Sequence, residues 1–253
     1  MIYTSKCMSC LFGCAKHKQF TKQRLKNMDI HYNILLEICT AGRLRNKTDD
    51  WRQNMKYYIP TKVYQEIDAV KTHAEELAGY GSCALIVTGK YSARANGALA
   101  DVEAALDAYG KKHVQYDEIE ENPSVETVMK ATEFGKRNGV DFVIAIGGGS
   151  PMDAAKAIAI MLANPEKDAD YLYENVAHTK ALPVVTIPTT CGTGSEVTGV
   201  AVLTVHAKRT KASLPHRVFP VLALADPKYL KTASKKVIGQ TAIDALGHMI
   251  ESY

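Results

Sequence analysis

The sequence lacks the apolar runs of a membrane protein and the cysteine density of a disulfide-bonded one. Only six cysteines occur in 253 residues, whereas small secreted domains held by disulfides are far richer in cysteine. No stretch reaches the roughly 18 consecutive apolar residues that a transmembrane helix needs. The 17 glycines and 9 prolines follow no period, which excludes a collagen-like chain. These absences favour a cytoplasmic globular protein with no membrane partner.

Most of the chain also lacks an excess of basic residues. Residues 1–56 contain 11 Lys and Arg against 4 Asp and Glu, whereas residues 57–253 contain 20 against 23. The net charge of +4 therefore comes from the first segment, and no nucleic-acid partner is expected. Because residues 1–55 show little periodicity, we predict a poorly ordered basic extension there. A targeting presequence over residues 1–28, which contain six Lys and Arg and no acidic residue, is the alternative, but these residues are not rich in Arg and Ser.

From residue 56 onward, short apolar runs alternate with helical patterns. The predicted strands are rich in β-branched and apolar residues and lie at 83–88, 114–116, 141–146, 182–187 and 221–225. Helices are predicted before the first of these strands, at 68–78, and between later ones, at 96–109, 122–138 and 151–163. This alternation predicts βαβ units and an α/β fold, with a parallel, Rossmann-like sheet over residues 56–236 that is covered on both faces.

Two helix ends are predicted from single residues. Asn122 is the expected N-cap of the third helix, with Pro123 at its first position. Gly139 fits the left-handed position that follows a helix. A further helix is predicted over residues 237–253 from an apolar stripe at helical spacing.

Two polar loops follow predicted strands. Gly147, Gly148, Gly149 and Ser150 lie directly between a strand and a helix, where bare amides and the helix dipole favour an anion. Residues 188–196, Pro-Thr-Thr-Cys-Gly-Thr-Gly-Ser-Glu, follow the next strand. Each loop alone could be a tight polar turn. Two of them at the carboxyl edge of one sheet predict a nucleotide crevice.

Asp244 and His248 are four residues apart on the last predicted helix. They share one face, so a carboxylate and an imidazole could ligate the same divalent metal ion. In isolation such a pair is more often a surface hydrogen bond or ion pair, and two ligands do not complete a metal site.

Four segments together resemble the iron-containing alcohol dehydrogenase family: residues 59–63, 147–157, 187–198 and 241–251. The resemblance covers residues 56–253. It implies an α/β nucleotide-binding domain followed by a helical domain with most of the metal ligands, of which residues 237–253 would be the beginning. The implied reaction is hydride transfer between a small alcohol or aldehyde and NAD(P), assisted by Fe²⁺ or Zn²⁺, without a protein nucleophile.

The resemblance also implies individual roles. The pyrophosphate would be held by Gly148, Gly149, Ser150 and Asp153. Other nucleotide contacts would come from Thr189, Thr190 and Thr193. Asp244 and His248 would be the first two of four metal ligands. The other two in the family are histidines further along, so we expect this chain to be an inactive fragment.

Gly89 sharpens the cofactor expectation. It stands where relatives that prefer NAD carry an Asp for the ribose 2′-hydroxyl. Glycine leaves room for a 2′-phosphate, and Lys90, Ser92 and Arg94 could bind it. We therefore expect NADP(H) to be favoured over NAD(H). The alternatives left open are a nucleotide-binding remnant without catalysis and a relative of glycerol dehydrogenase; a homodimer is an untested expectation.

Overall fold

A computed structural model describes residues 58–251, which form an α/β domain around one parallel sheet. The six strands of this sheet are β1 (Lys62–Gln65), β2 (Cys83–Thr88), β3 (Lys112–Tyr116), β4 (Phe142–Gly147), β5 (Val184–Pro188) and β8 (Leu222–Ala225). Their order is β1-β8-β5-β4-β2-β3 and every neighbouring pair is parallel. The predicted α/β class and parallel sheet are confirmed. An antiparallel hairpin of β6 (Val202–Val205) and β7 (Thr210–Ser213) stands apart from the sheet.

Seven α-helices connect and cover these strands in the described part of the chain. They are α1 (Ala69–Thr72), α2 (Ala74–Ala78), α3 (Ser92–Ala95), α4 (Ala98–Ala108), α5 (Val125–Asn138), α6 (Gly149–Ala163) and α7 (Lys235–Glu251). The predicted helix at 68–78 is wrong in one respect, because it breaks at His73 into α1 and α2.

The two faces of the sheet carry separate apolar cores. Leu85 and Val143 pack with α5 and α6 on one face, and their neighbours Ile86 and Ile144 pack with α1, α2 and α4 on the other. Successive residues of a strand point to opposite faces, so fully apolar strands such as β2 and β4 must be covered on both sides. Burying each such aliphatic side chain contributes about 1.5–3 kcal/mol.

The chain reverses its direction of travel across the sheet between β2 and β4. From β2 it passes outward to β3, returns to β4 on the other side of β2, and continues to β5 and β8. In open α/β sheets, ligands bind outside the carboxyl ends of the strands at such a switch point. The fold therefore places a crevice next to the loops that follow β2 and β4.

The start of α5 differs from the prediction. The N-cap is Ser124, not Asn122, and the helix begins at Val125. Asn122 has a left-handed φ of 58°, and its carbonyl accepts a hydrogen bond from the Thr204 hydroxyl (2.8 Å). Asn122 is thus held in the turn before the helix. The predicted end is confirmed, since Gly139 has a φ of 63°.

Replacing Ser124 with alanine is expected to lower the free energy of unfolding by about 1 kcal/mol. The Ser124 hydroxyl accepts from the Thr127 N–H (3.2 Å) and donates to Glu120 (2.8 Å), and the serine is buried. Urea denaturation measures the change, with Ser213→Ala on exposed β7 as the matched control. Equal stability of the two variants would contradict a capping role.

One part of the prediction is not covered by this description. The predicted basic extension at residues 1–55 lies outside residues 58–251. Among the helices that are described, none has the combination of length and hydrophobicity that a membrane span requires.

Candidate functional site

The glycine loop, residues 147–150, joins β4 to α6. Gly147 ends the strand and Gly148 precedes the first residue of the helix. Gly147 has a φ of 154°, and a Cβ built on it would lie 2.6 Å from Pro151 Cγ. Among the described side chains, none caps this end of α6. Its first backbone N–H groups are therefore left for an external acceptor, as in anion sites at helix N-termini.

The threonine loop, residues 188–196, lies directly against the glycine loop. The Thr189 N–H donates to the Gly147 carbonyl (2.9 Å). A Cβ on Gly148 would lie 2.9 Å from Thr190 Oγ1, and one on Gly149 would lie 3.0 Å from Thr193 Cγ2. The structure thus brings together the two loops that sequence spacing placed at one edge of the sheet.

The loop after β2 borders the same edge, because Thr88 is in register with Ile146 of β4. Lys90 and Ser92 are exposed there. A Cβ on Gly89 would meet only the Ile119 carbonyl, at 3.4 Å, so this position has room for a side chain. Arg94 has protein partners already.

Arg94 donates to Gln115 (2.7 Å) and lies 3.8 Å from the Asp117 carboxylate. These contacts hold its guanidinium over β3. Lys90 and Ser92 are therefore better placed than Arg94 to meet a ligand beside Gly89.

Asp153 links α6 to the threonine loop. One carboxylate oxygen accepts from the Ser195 hydroxyl (2.7 Å) and the other from the Val202 N–H (3.0 Å). Burial raises the pKa of this carboxyl group, and the hydrogen bond from Ser195 partly offsets that rise. Both oxygens therefore have protein donors, and direct contact between Asp153 and a pyrophosphate stays a prediction.

Lys156 and Lys211 are two cations near these loops that sequence reasoning missed. Lys156 is fully buried in α6 and donates to Ser195 Oγ (2.8 Å). Lys211 on β7 donates to the Asn122 side chain (2.7 Å), and the Asn122 N–H donates to Ser150 Oγ (3.1 Å). The sequence did not indicate that either lysine contacts these loops, because the contacts join residues 39 and 89 positions apart in the chain.

The pair on α7 keeps the predicted geometry. His248 Nε2 lies 3.7 Å from Asp244 Oδ2, and both side chains are about half exposed. Helix α7 also approaches the threonine loop, since a Cβ on Gly192 would lie 2.6 Å from the Thr241 carbonyl oxygen. Within residues 58–251, no three His, Cys, Asp or Glu side chains come together as a metal site. An imidazole and a carboxylate suit Fe²⁺ or Zn²⁺, so the pair fits part of a metal site.

A doubly wound parallel sheet, an uncapped helix after a glycine loop and a hydroxyl-rich loop beside it are typical of nucleotide-binding α/β proteins. The sequence model of the family named "Iron-containing alcohol dehydrogenase" matches residues 60–227. The chain belongs to this family.

Curated relatives include several alcohol dehydrogenases. The chain is 39% identical over 170 residues to the long-chain primary alcohol dehydrogenase AdhA of Thermoanaerobacter ethanolicus, covering 66% of this chain and 43% of that protein. It is 34% identical over 198 residues to the NADH-dependent butanol dehydrogenase A of Clostridium acetobutylicum, covering 78% and 51%. The chain thus spans about half the length of the curated relatives it matches.

Solved structures agree with this assignment. An iron-containing alcohol dehydrogenase from Thermotoga maritima superposes with a TM-score of 0.75 at 40% identity, covering 79% of this chain and 55% of that one. The Rossmann-like fold predicted from the sequence is therefore confirmed.

Proposed function

We propose that this chain supplies the nucleotide-binding part of a metal-dependent alcohol dehydrogenase or aldehyde reductase. The observation that carries the proposal is the contact between the glycine and threonine loops at the carboxyl edge of the sheet, beside the switch point. The substrate class would be a small alcohol or the corresponding aldehyde. The family and the relatives named above support this activity.

The pyrophosphate would lie at the N-terminus of α6. Gly148 and Gly149 present backbone N–H groups there without a Cβ, and Ser150 adds a hydroxyl. Thr189, Thr190 and Thr193 would contact the nucleotide from the opposite loop. Lys211, linked through Asn122 to Ser150, would offset phosphate charge. Together these groups would orient the nicotinamide ring, which supplies or accepts the hydride when the cofactor is bound.

We further propose NADP(H) as the preferred cofactor. Gly89 leaves space beside the β2 loop, and exposed Lys90 and Ser92 offer a cation and a hydroxyl for a 2′-phosphate. The relative from Clostridium acetobutylicum is named as NADH-dependent, so the preference needs a direct measurement in this chain.

Asp244 and His248 would hold part of the metal site. Their spacing on α7 aligns one oxygen and one ring nitrogen on the same exposed helix face. Fe²⁺ or Zn²⁺ bound there would supply Lewis acidity to the substrate oxygen. The approach of α7 to Gly192 would keep this pair at a fixed position relative to the nucleotide.

The test is a fluorescence titration of the 253-residue chain with NADPH and with NADH. We expect saturable binding of both nucleotides, because the two loops would hold the pyrophosphate. Binding of NADPH should be tighter, because Lys90 and Ser92 would also contact its 2′-phosphate. The absence of binding to either nucleotide would overturn the proposal.

The second candidate function of this polypeptide is nucleotide binding without catalysis. The observation that favours it is that residues 58–251 bring only two candidate ligands together. We expect no alcohol-dependent reduction of NADP⁺ when Fe²⁺ or Zn²⁺ is added, and turnover in this assay would exclude this candidate. A cytoplasmic location and a homodimer are further parts of the proposal, and sedimentation tests the second.

A further inference from the structure

Lys156 is a cation with no exposed surface in the middle of the domain. Lysine is almost never fully buried unless its charge is paired and hydrogen-bonded. Its ammonium group donates to Ser195 Oγ and to the Val200 carbonyl, both at 2.8 Å, and lies 3.8 Å from Asp153 Oδ1. Its other two close partners, Ser195 and Val200, belong to the segment that follows β5.

One turn of α6 therefore binds the segment after β5 at three residues, Ser195, Val200 and Val202. Lys156 binds Ser195 and Val200, and Asp153 binds Ser195 and Val202. Ser195 is shared, since it accepts from the lysine and donates to the aspartate. These contacts fix the end of the threonine loop to the same helix whose N-terminus carries the glycine loop.

We propose that Lys156 is a positioning residue for nucleotide binding, which holds the threonine loop against the glycine loop from inside the domain without touching the nucleotide. The inference rests on the proposed function, because it concerns the loops assigned there. It adds a role for a residue of segment 147–157 to which the sequence analysis assigned none.

Electrostatics argues against a purely stabilising role. Burial lowers the pKa of Lys156 to about 8, and burial raises the pKa of Asp153 and of Glu196. Burial thus disfavours the charged form of all three side chains, so removing these charges from water costs free energy. Well-packed apolar side chains often replace buried ion pairs without loss of stability. What they cannot replace is the directional hold on Ser195 and Val200.

The experiment compares Lys156→Met with Lys130→Met, a matched change at an exposed position of α5. Hydrogen exchange is read separately for the threonine loop and for β2, and NADPH affinity is measured on folded protein. We expect Lys156→Met to raise the exchange rate of the loop amides and to weaken NADPH binding about tenfold, a size typical of coupling between sites. Exchange in β2 stays unchanged, and Lys130→Met behaves as wild type.

The pH profile adds a readout that simple packing would not produce. The charged groups facing the Lys156 ammonium are Asp153 on α6 and Glu196 on the threonine loop. As pH rises through about 8 the amine loses its charge, and its attraction to both carboxylates is lost. We expect wild-type affinity for NADPH to fall about threefold between pH 7 and pH 9, and that of Lys156→Met to stay constant over this range.

The outcomes separate the two proposals. Wild-type protein that binds no nucleotide contradicts the proposed function. If the wild type binds NADPH and folded Lys156→Met binds it equally well, the positioning role alone is overturned. The same holds if the amides of Lys156→Met exchange faster throughout the domain. If Lys156→Met does not fold, Ser195→Ala is tested instead, because it removes the hydroxyl that Lys156 and Asp153 share. Faster exchange confined to the threonine loop, together with weaker NADPH binding, supports the inference. Wild-type values for both measurements overturn it.

Discussion

Replacing Gly148 with valine is expected to weaken nucleotide binding about 100-fold, which corresponds to about 2.7 kcal/mol of binding free energy. A Cβ at this position would lie 2.9 Å from Thr190 Oγ1, whereas non-bonded heavy atoms need about 3.5 Å. The Thr190 side chain must therefore shift, and the branched valine fills the space that the phosphates would occupy. Isothermal titration with NADPH measures the loss.

Gly239→Val is the matched control for this substitution. Gly239 lies on exposed α7, and a Cβ there would meet no atom within 4 Å. Its nucleotide affinity should equal that of the wild type. Circular dichroism of both variants checks that they fold. If folded Gly148→Val binds NADPH as tightly as the control, the phosphates do not lie between the two loops.

The main sheet was predictable because its central strands are uniformly apolar. β2, β4 and β5 are fully buried, so apolar runs mark them clearly. β1 and the hairpin β6–β7 were missed because each of these strands has only four residues and is partly exposed. β1 is placed by its parallel pairing with β8, about 160 residues later in the chain, and no local pattern encodes such a partner.

The two ligand loops were predictable for a similar reason, since each directly follows a buried strand. Parallel strands bring their carboxyl ends to one edge, so Gly147 and Pro188 come into register without further information. The support behind these loops was not predictable. Asp153 was expected to be a ligand and Lys156 was given no role, and only the return of the chain past α6 shows that both side chains bind Ser195.

Replacing Gly89 with aspartate is expected to weaken NADPH binding about 30-fold, as judged from repulsion between two charges about 4 Å apart near a protein surface. The aspartate would fit, because a Cβ at Gly89 would meet only the Ile119 carbonyl at an ordinary 3.4 Å. Its carboxylate would face the 2′-phosphate that the proposal places near Lys90 and Ser92. NADH lacks this phosphate and offers a 2′-hydroxyl that the carboxylate can accept from, so NADH affinity should rise or stay equal.

Gly89→Asn separates charge from shape in this test. Asparagine has nearly the size of aspartate but no charge, so its NADPH affinity should remain within a few-fold of wild type. The loss in Gly89→Asp should also shrink as salt is raised from low to high concentration, because ions screen an exposed charge pair. Titrations of the wild type and both variants with NADPH and NADH, each at a low and a high salt concentration, measure these differences. Equal losses of NADPH affinity in the two variants, independent of salt, would mean that Gly89 is needed for space and that the 2′-phosphate binds elsewhere.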